Sequence, residues 1–351
     1  MDEVSLVGAD ASDVASRKFQ AASGGGQGRA FRAARVHAAI QYDLQIEANM
    51  VKRIVKALLP DSVKETLRQR RNEQRERDFR RHPVVTMQCG EYTLEIPSNH
   101  LLREWSASQP FRDRCVGITA KFMVEKYRDA TVIDIGANIG DTAAIIASYA
   151  KPRKLIAVEA SDFFFRFLER NVGKLPGDVV CRRALVSDRA ESISGSLAHW
   201  GGTASFKSGS GDESVPSVPL RDLVDDRTVF VKTDTDGFDF KICLGAIDWI
   251  AEARPAVLLE DQLSGEQDRE LADTLFKRLN EVGYRNFAVW DDQGFMLLAT
   301  SSLEILADLH RYLAKIAQHK GHKSIYNYDV LCLHERDQDV FEKVCQYYRE
   351  N

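Results

Sequence analysis

The spacing of apolar positions changes twice along the chain. Residues 1 to about 30 include ASGGGQGRA and few large apolar groups, which predicts a disordered tail. From residue 31 to 82 the period is helical. FRAARVHAAIQYDLQIEANMVKRIVKALL places Ile46, Met50, Ile54 and Leu58 on one helix face. Pro60 ends that segment, and Asp61 and Ser62 are caps for a second helix, VKETLRQRRNEQRERDFRR. Its charges alternate so densely that a solvated arm is the plain reading. The functional alternatives are a contact between copies or weak attachment to acidic lipid headgroups.

From residue 83 onward the pattern is that of a mixed domain, with 83–351 read as one unit. VVTMQCGEYTLEIP alternates around a glycine and predicts a β-hairpin. A mostly helical lead-in ends at KFMVEKY. Strands and helices then alternate: TVIDIG, DTAAIIASYA, KLIAVEA, FFFRFLERNV, VVCRRALVS as a third strand, TVFVKTD as a fourth, FDFKICLGAIDWI as one helix, AVLLE as a fifth strand, then RELADTLFKRLNEVG. RNFAVWDDQGFMLLAT reads as strand–turn–strand, and YDVLCLHE as a last strand after a long helix. Short, wholly apolar strands between helices predict a doubly wound, mostly parallel α/β sheet with helices on both faces and late antiparallel strands. The Ser- and Gly-rich stretch from Ser192 to Pro219 breaks the alternation and predicts a long irregular loop or lid.

Composition narrows the classes. The 351 residues are 44% hydrophobic, enough for a large core, and the formal net charge of -4 supplies no field for nucleic acid. The first residues are acidic and lack the apolar stretch of a secretory signal. The six cysteines are scattered without metal spacing, as expected of buried, reduced thiols in a cytoplasmic protein.

The chemistry starts at DIGANIGDT, after the first strand of the alternation. In a doubly wound sheet the ligand sits outside the carboxyl ends of the strands, beside that strand. Gly136 permits the tight turn and Gly140 the close approach of the helix. A phosphate loop would need Gly-Lys-Ser/Thr, which is absent. A dinucleotide fingerprint would carry glycines where Asn138 and Asp141 stand, and the Asp141 carboxylate would face a pyrophosphate at the helix N-terminus. Glu159 ends the second strand, where an acid holds ribose hydroxyls. The set fits a nucleoside with a cationic tail and no phosphates, such as S-adenosylmethionine, and disfavours a dehydrogenase.

These blocks, in order over about residues 88 to 335, resemble the FkbM family of class I S-adenosylmethionine-dependent methyltransferases. VIDIGANIGDT is similar to the family's first motif, with Asn138 a family variant of the turn. VPLRDL and VFVKTDTDGFDFKICLGA resemble its Lys-x-Asp-x-Glu-Gly block, and RPAVLLE and YDVLCLH its later strands. Asp236 stands where Glu is usual, and Arg221 where Asp is common. The resemblance implies a cofactor site of Asp134, Gly136, Ala137, Asn138 and Gly140 around the methionine, Glu159 and Ala160 at the ribose, and Ala184, Leu185 and Asp188 near adenine. It implies acceptor hydroxyls on sugars, glycans or natural products.

Strands four and five end in KTDTDG and in Glu260, so Lys232, Asp234, Asp236 and Glu260 are the charged cluster expected beside the cofactor. Asp234 or Asp236 is the expected base for an acceptor hydroxyl, with a divalent cation as the alternative means of lowering its pKa. Asp236 has the plain alternative of capping the next helix, and Lys232 of pairing a carboxylate. His199, in LAHWGG, is a second-rank base. Other classes stay open: N- or carboxyl-methylation of a metabolite, or a non-catalytic scaffold working through the helical arm.

Overall fold

A computed structural model of the chain describes residues 60–189, 191–208, 213–318 and 325–351. The predicted tail and the predicted helix with Ile46, Met50, Ile54 and Leu58 lie outside the described residues. The chain divides into two units, Met1–Gln74 and Arg75–Asn351. Helix α1 (Asp61–Arg81) follows Pro60, and the predicted hairpin is β1 (Val84–Cys89) with β2 (Tyr92–Pro97), turning at Gly90.

The lead-in is α2 (Leu102–Ser108) and α3 (Arg114–Lys126). Next come β3 (Thr131–Ile135), α4 (Asp141–Tyr149), β4 (Lys154–Glu159), α5 (Asp162–Val172), β5 (Asp178–Arg183) and β6 (Leu185–Ser187). β7 (Glu191–Trp200), β8 (Thr203–Ser208) and β9 (Glu213–Pro219) lead to β10 (Thr228–Thr233), α6 (Asp239–Gly245), α7 (Ile247–Ala253) and β11 (Ala256–Asp261). The rest is α8 (Glu266–Glu281), β12 (Tyr284–Asp291), β13 (Met296–Thr300), α9 (Leu303–Gln318), β14 (Tyr328–His334) and α10 (Gln338–Glu350).

Eight strands make the central sheet, in the order β13-β12-β14-β11-β10-β3-β4-β5. β5, β4, β3, β10 and β11 run parallel; β14 is antiparallel to both β11 and β12, so the last strand in sequence is inserted between two earlier ones. Both faces are covered. Alternate positions of one strand feed two cores: Val132 and Phe230 pack with Leu94, Ile118, Ile146 and Leu168, whereas Ile133, Ile135 and Val231 pack with Phe240, Leu275, Phe276 and Leu313. This two-sided burial explains why the strands read as unbroken apolar runs. Each such side chain contributes about 1.5–3 kcal/mol.

Three expectations are corrected. The stretch from Ser192 to Pro219 is not an irregular loop: its described backbone forms strands of a four-stranded sheet, order β6-β9-β7-β8. VVCRRALVS is two strands rather than one. β5 stays in the central sheet, the chain leaves at Ala184, and β6 joins the small sheet. FDFKICLGAIDWI is two short helices broken at Ala246.

Candidate active site

The carboxyl ends of β3, β4, β10 and β11 open onto one crevice of ≈ 990 Å³, walled on its far side by the lead-in. Of the predicted residues it gathers Gly136, Asn138, Glu159, Ala160, Ala184, Leu185, Lys232, Asp234, Asp236 and Glu260.

The turn after β3 is bent through positive φ at three positions: Gly136 (75°), Asn138 (49°) and Gly140 (93°). A Cβ on Gly136 would lie 1.8 Å from the Asp234 carbonyl oxygen, so the turn passes against the end of β10 and only glycine fits. Gly140 does not line the crevice; it starts α4 and faces Leu168. Ala137 is fully buried, its N–H donating to Val158 O, and also stands behind the wall. Asn138 makes three polar contacts within the protein. Its N–H donates to Glu159 Oε2 (2.9 Å), its Nδ2 to Gly202 O (2.7 Å), and its Oδ1 accepts from His100 Nε2 (3.2 Å). His100 Nδ1 accepts from Leu102 N, which fixes the neutral tautomer with its proton on Nε2. Burial lowers that imidazole to about 4, the Asn138 bond opposing. Asn138 therefore ties the turn to the lead-in and to the β7–β8 bend. That is a physical reason for asparagine here: it tolerates left-handed backbone and supplies an amide that glycine lacks.

Glu159 is buried at the end of β4. Oε1 accepts from Ser161 N (2.8 Å) and Oε2 from Asn138 N, so its carboxylate is held rigidly at the crevice edge. Burial pushes it up to about 7, the two N–H donors restraining the rise.

Strand register builds the charged floor. Lys232 is the register partner of Asp134 across β10 and β3, so both side chains emerge on one face. The ammonium lies 3.2 Å from Asp134 and 3.4 Å from Asp234. Burial disfavours its charge, but Asp134, Asp234 and Asp113 outweigh that and hold it well above the usual lysine range. Asp134 is fully buried, accepts from Thr142 Oγ1 (2.5 Å), and sits beneath the crevice rather than in its wall. Lys232 is thus a cation engaged by two carboxylates in the crevice wall.

Asp234 is 36% exposed in its side chain and faces the crevice. Asp236 sits at φ 52° and does not cap the next helix; Asp239 does the local bonding, to Thr233 Oγ1 (2.6 Å) and Thr235 N (3.4 Å). Burial, then Asp234 and Asp239, lift Asp236 to about 6. Glu260 accepts from Asn327 Nδ2 (2.8 Å) through Oε1, while Oε2 is shut off from solvent without a partner. Its register partner across β14 is Asp329, another carboxyl. Burial, followed by repulsion from Asp234, raises Glu260 well above the carboxylate range, and burial with Asp113 lifts Asp329 to about 8. Asp261 points to the opposite face and pairs with His310 (3.0 Å).

Asp188 is outside the crevice wall, paired with Arg189 at 3.2 Å, and Arg221 is exposed on the turn before β10. His199 lies on β7 opposite Ala204; its side chain is outside the described residues. Among the described residues no group of His, Cys, Asp and Glu is arranged to hold a metal. The sequence reading missed His100, Trp105, Arg112 and Asp113, all from the lead-in, and Asp141 as a wall residue. No motif spacing marks the first four. Asp141 stood in the motif already quoted, and its carboxyl is lifted to about 7 by burial and Asp113.

The third, second, first, fourth and fifth α/β strands of the open sheet run parallel and are followed by an inserted antiparallel strand, the strand order of a class I methyltransferase fold. Residues 134–286 match the Methyltransferase FkbM domain. No curated protein sequence matches the chain. Among solved structures it is similar to the methyltransferase FkbM of Methylobacillus flagellatus KT, at 13% identity and TM-score 0.36, over 58% of this chain and 44% of that one. It thus spans less than half the length of that protein. It is similar also to TYW2 of M. jannaschii, crystallised with AdoMet (12% identity, TM-score 0.36, 71% of this chain and 85% of that). A third is the precorrin-6y C5,15-methyltransferase of Geobacter metallireducens GS-15 (11%, 0.30, 61% and 85%). No helix among the described residues is long and apolar enough to cross a membrane.

Proposed function

We propose that the chain is an S-adenosylmethionine-dependent O-methyltransferase acting in the cytoplasm on a hydroxyl of a sugar, glycan or natural product. The observation that carries this reading is the shared crevice. Glu159, held by two backbone N–H groups, opens onto the same space as Asp234, Asp236 and Glu260. A fixed carboxylate at the end of the second α/β strand suits a ribose diol; free carboxyls a strand or two away suit an acceptor hydroxyl.

The residues fit the cofactor. Gly136 leaves no Cβ beside the crevice, and Glu260 Oε2 is a buried polar atom still lacking a partner. Glu159 would hold the ribose hydroxyls, and Ala184 and Leu185 would lie along the base. When bound, S-adenosylmethionine supplies an electrophilic methyl group on a sulfonium. The protein's own task is to hold an acceptor oxygen in line and to take its proton.

The carboxyls divide that task by environment. Burial and the neighbouring carboxyls raise Glu260 well above the usual range and favour its protonated form, which can position the acceptor hydroxyl by a hydrogen bond. Asp236, at about 6, is ionised at neutral pH and weakly basic enough to accept the proton. Asp234, beside the Lys232 ammonium, is the second candidate base. Asp134, Lys232 and Thr142 fix the floor on which these groups stand.

Calorimetric titration with S-adenosylhomocysteine, with NADH run in parallel, tests the cofactor. Binding of the first alone is expected. Binding of NADH, or of neither by folded protein, removes the reading.

A further inference from the structure

Arg112 has no part in the reading above. It lies in the loop between α2 and α3 and lines the crevice opposite the glycine turn. Its guanidinium carbon sits 4.6 Å over the Trp105 ring, and its Nε is 3.4 Å from Asp113 Oδ2. Among the described residues its two Nη groups have no partner. Burial works against its charge, but Asp113, Asp234 and Asp141 keep it protonated. A guanidinium held over an indole, with its outer fork unused, is set up for bidentate capture of a carboxylate.

The surroundings define what kind of carboxylate. Asp113, Asp141 and Asp234 line the same crevice, and all three act on the Arg112 charge. A simple anion would gain from Arg112 and be repelled by three carboxyls; a simple cation would meet the reverse. A ligand with a carboxylate and an ammonium on one carbon gains from both. Asp141 opens the first turn of α4, next to the glycine turn. We propose that Arg112, held over Trp105 and flanked by Asp113 and Asp141, is the receptor for the zwitterionic α-amino-acid end of the cofactor. Arg112 takes the carboxylate, and the flanking carboxyls take the ammonium. This rests on the cofactor reading above. It moves recognition of the methionine tail from the turn itself, where the Asn138 side chain is engaged with Gly202 and His100, to the lead-in.

The test compares two ligands differing only in that tail. S-adenosylhomocysteine carries the amino acid; methylthioadenosine keeps the nucleoside and thioether without it. Affinities are measured by calorimetry for the full-length protein, Arg112→Gln and Arg112→Lys. The unaltered protein is expected to prefer S-adenosylhomocysteine. In Arg112→Gln that ligand weakens by about 10- to 100-fold while methylthioadenosine changes less than about twofold. Arg112→Lys, a point charge without the fork, restores only part of the preference. Retained methylthioadenosine binding also shows that the variants are folded. Equal weakening of both ligands, or of neither, overturns the assignment, as does an unaltered protein that binds both alike; in each case the cofactor reading survives. Failure of the unaltered protein to bind either removes the cofactor reading and this proposal with it.

Discussion

Gly136 is the residue with least latitude. Its backbone lies at φ 75°, and a Cβ there would overlap the Asp234 carbonyl. Gly136→Ala is expected to cost about 2–4 kcal/mol by urea unfolding and to abolish S-adenosylhomocysteine binding, because the end of β10 must move. Asn138 is different. Asn138→Gly keeps the turn conformation and loses the bonds to His100 and Gly202. It should cost about 1–3 kcal/mol while leaving affinity for the nucleoside nearly unchanged. Glu159→Ala removes the only carboxylate at the end of β4 and should weaken S-adenosylhomocysteine strongly; unchanged affinity in calorimetry would remove its ribose role. Once an acceptor is in hand, Asp236→Asn should stop turnover with cofactor binding intact; loss of turnover in Asp234→Asn instead would pass the role of base to Asp234.

At the scale of elements, α8, α9 and the end of β11 are joined by His310. It is fully buried, with Nε2 3.0 Å from Asp261 and Nδ1 2.7 Å from Asp273. Burial opposes its charge, but the two carboxylates outweigh that and raise it. His310→Ala would strand Asp261, and about 3–5 kcal/mol should be lost in denaturant unfolding. The turn between β12 and β13 has a similar joining role, for a Cβ on Gly294 would meet the Phe111 carbonyl at 2.1 Å, next to Arg112. What was legible in the sequence was local. The apolar strands, the amphipathic helices and the glycine turn each carry their signal in a few consecutive residues, and they placed ten predicted residues around one crevice. What escaped depends on distant partners. β6 leaves the line of β5 because it pairs with β9, more than two dozen residues on, and the Ser- and Gly-rich strands of the small sheet have the composition of a loop. The pairing of Lys232 with Asp134 needed the register of two strands far apart in sequence. Trp105 and Arg112 sit in a segment whose helical periodicity says nothing of what faces it.

For the whole molecule, buried carboxyls set the response to pH. Asp329 is raised to about 8, Asp141 and Glu159 to about 7, and Asp236 and Asp239 to about 6. Between the ordinary carboxyl range and these values the native state keeps protons that the unfolded chain has released, so stability falls as pH rises through that window. His310 acts in the same direction: its contribution is complete below the ordinary imidazole value and is lost as pH passes its raised one. His100, lowered to about 4, opposes them, costing stability as pH falls below the ordinary imidazole value. The thermal midpoint of the ligand-free protein should therefore decline as pH rises from about 5 to alkaline values by scanning calorimetry, the single opposing His100 being outnumbered. A profile still rising there would mean these carboxyls are already ionised in the native state. The place of β14 also governs how the molecule is made. Residues 328–334 fill the gap between β11 and β12, and both neighbours leave the ribosome first. Until β14 emerges, the nascent chain carries two unsatisfied sheet edges around a vacant slot, so three of the eight strands, β12, β13 and β14, have to wait for translation to pass residue 334 before they join the rest.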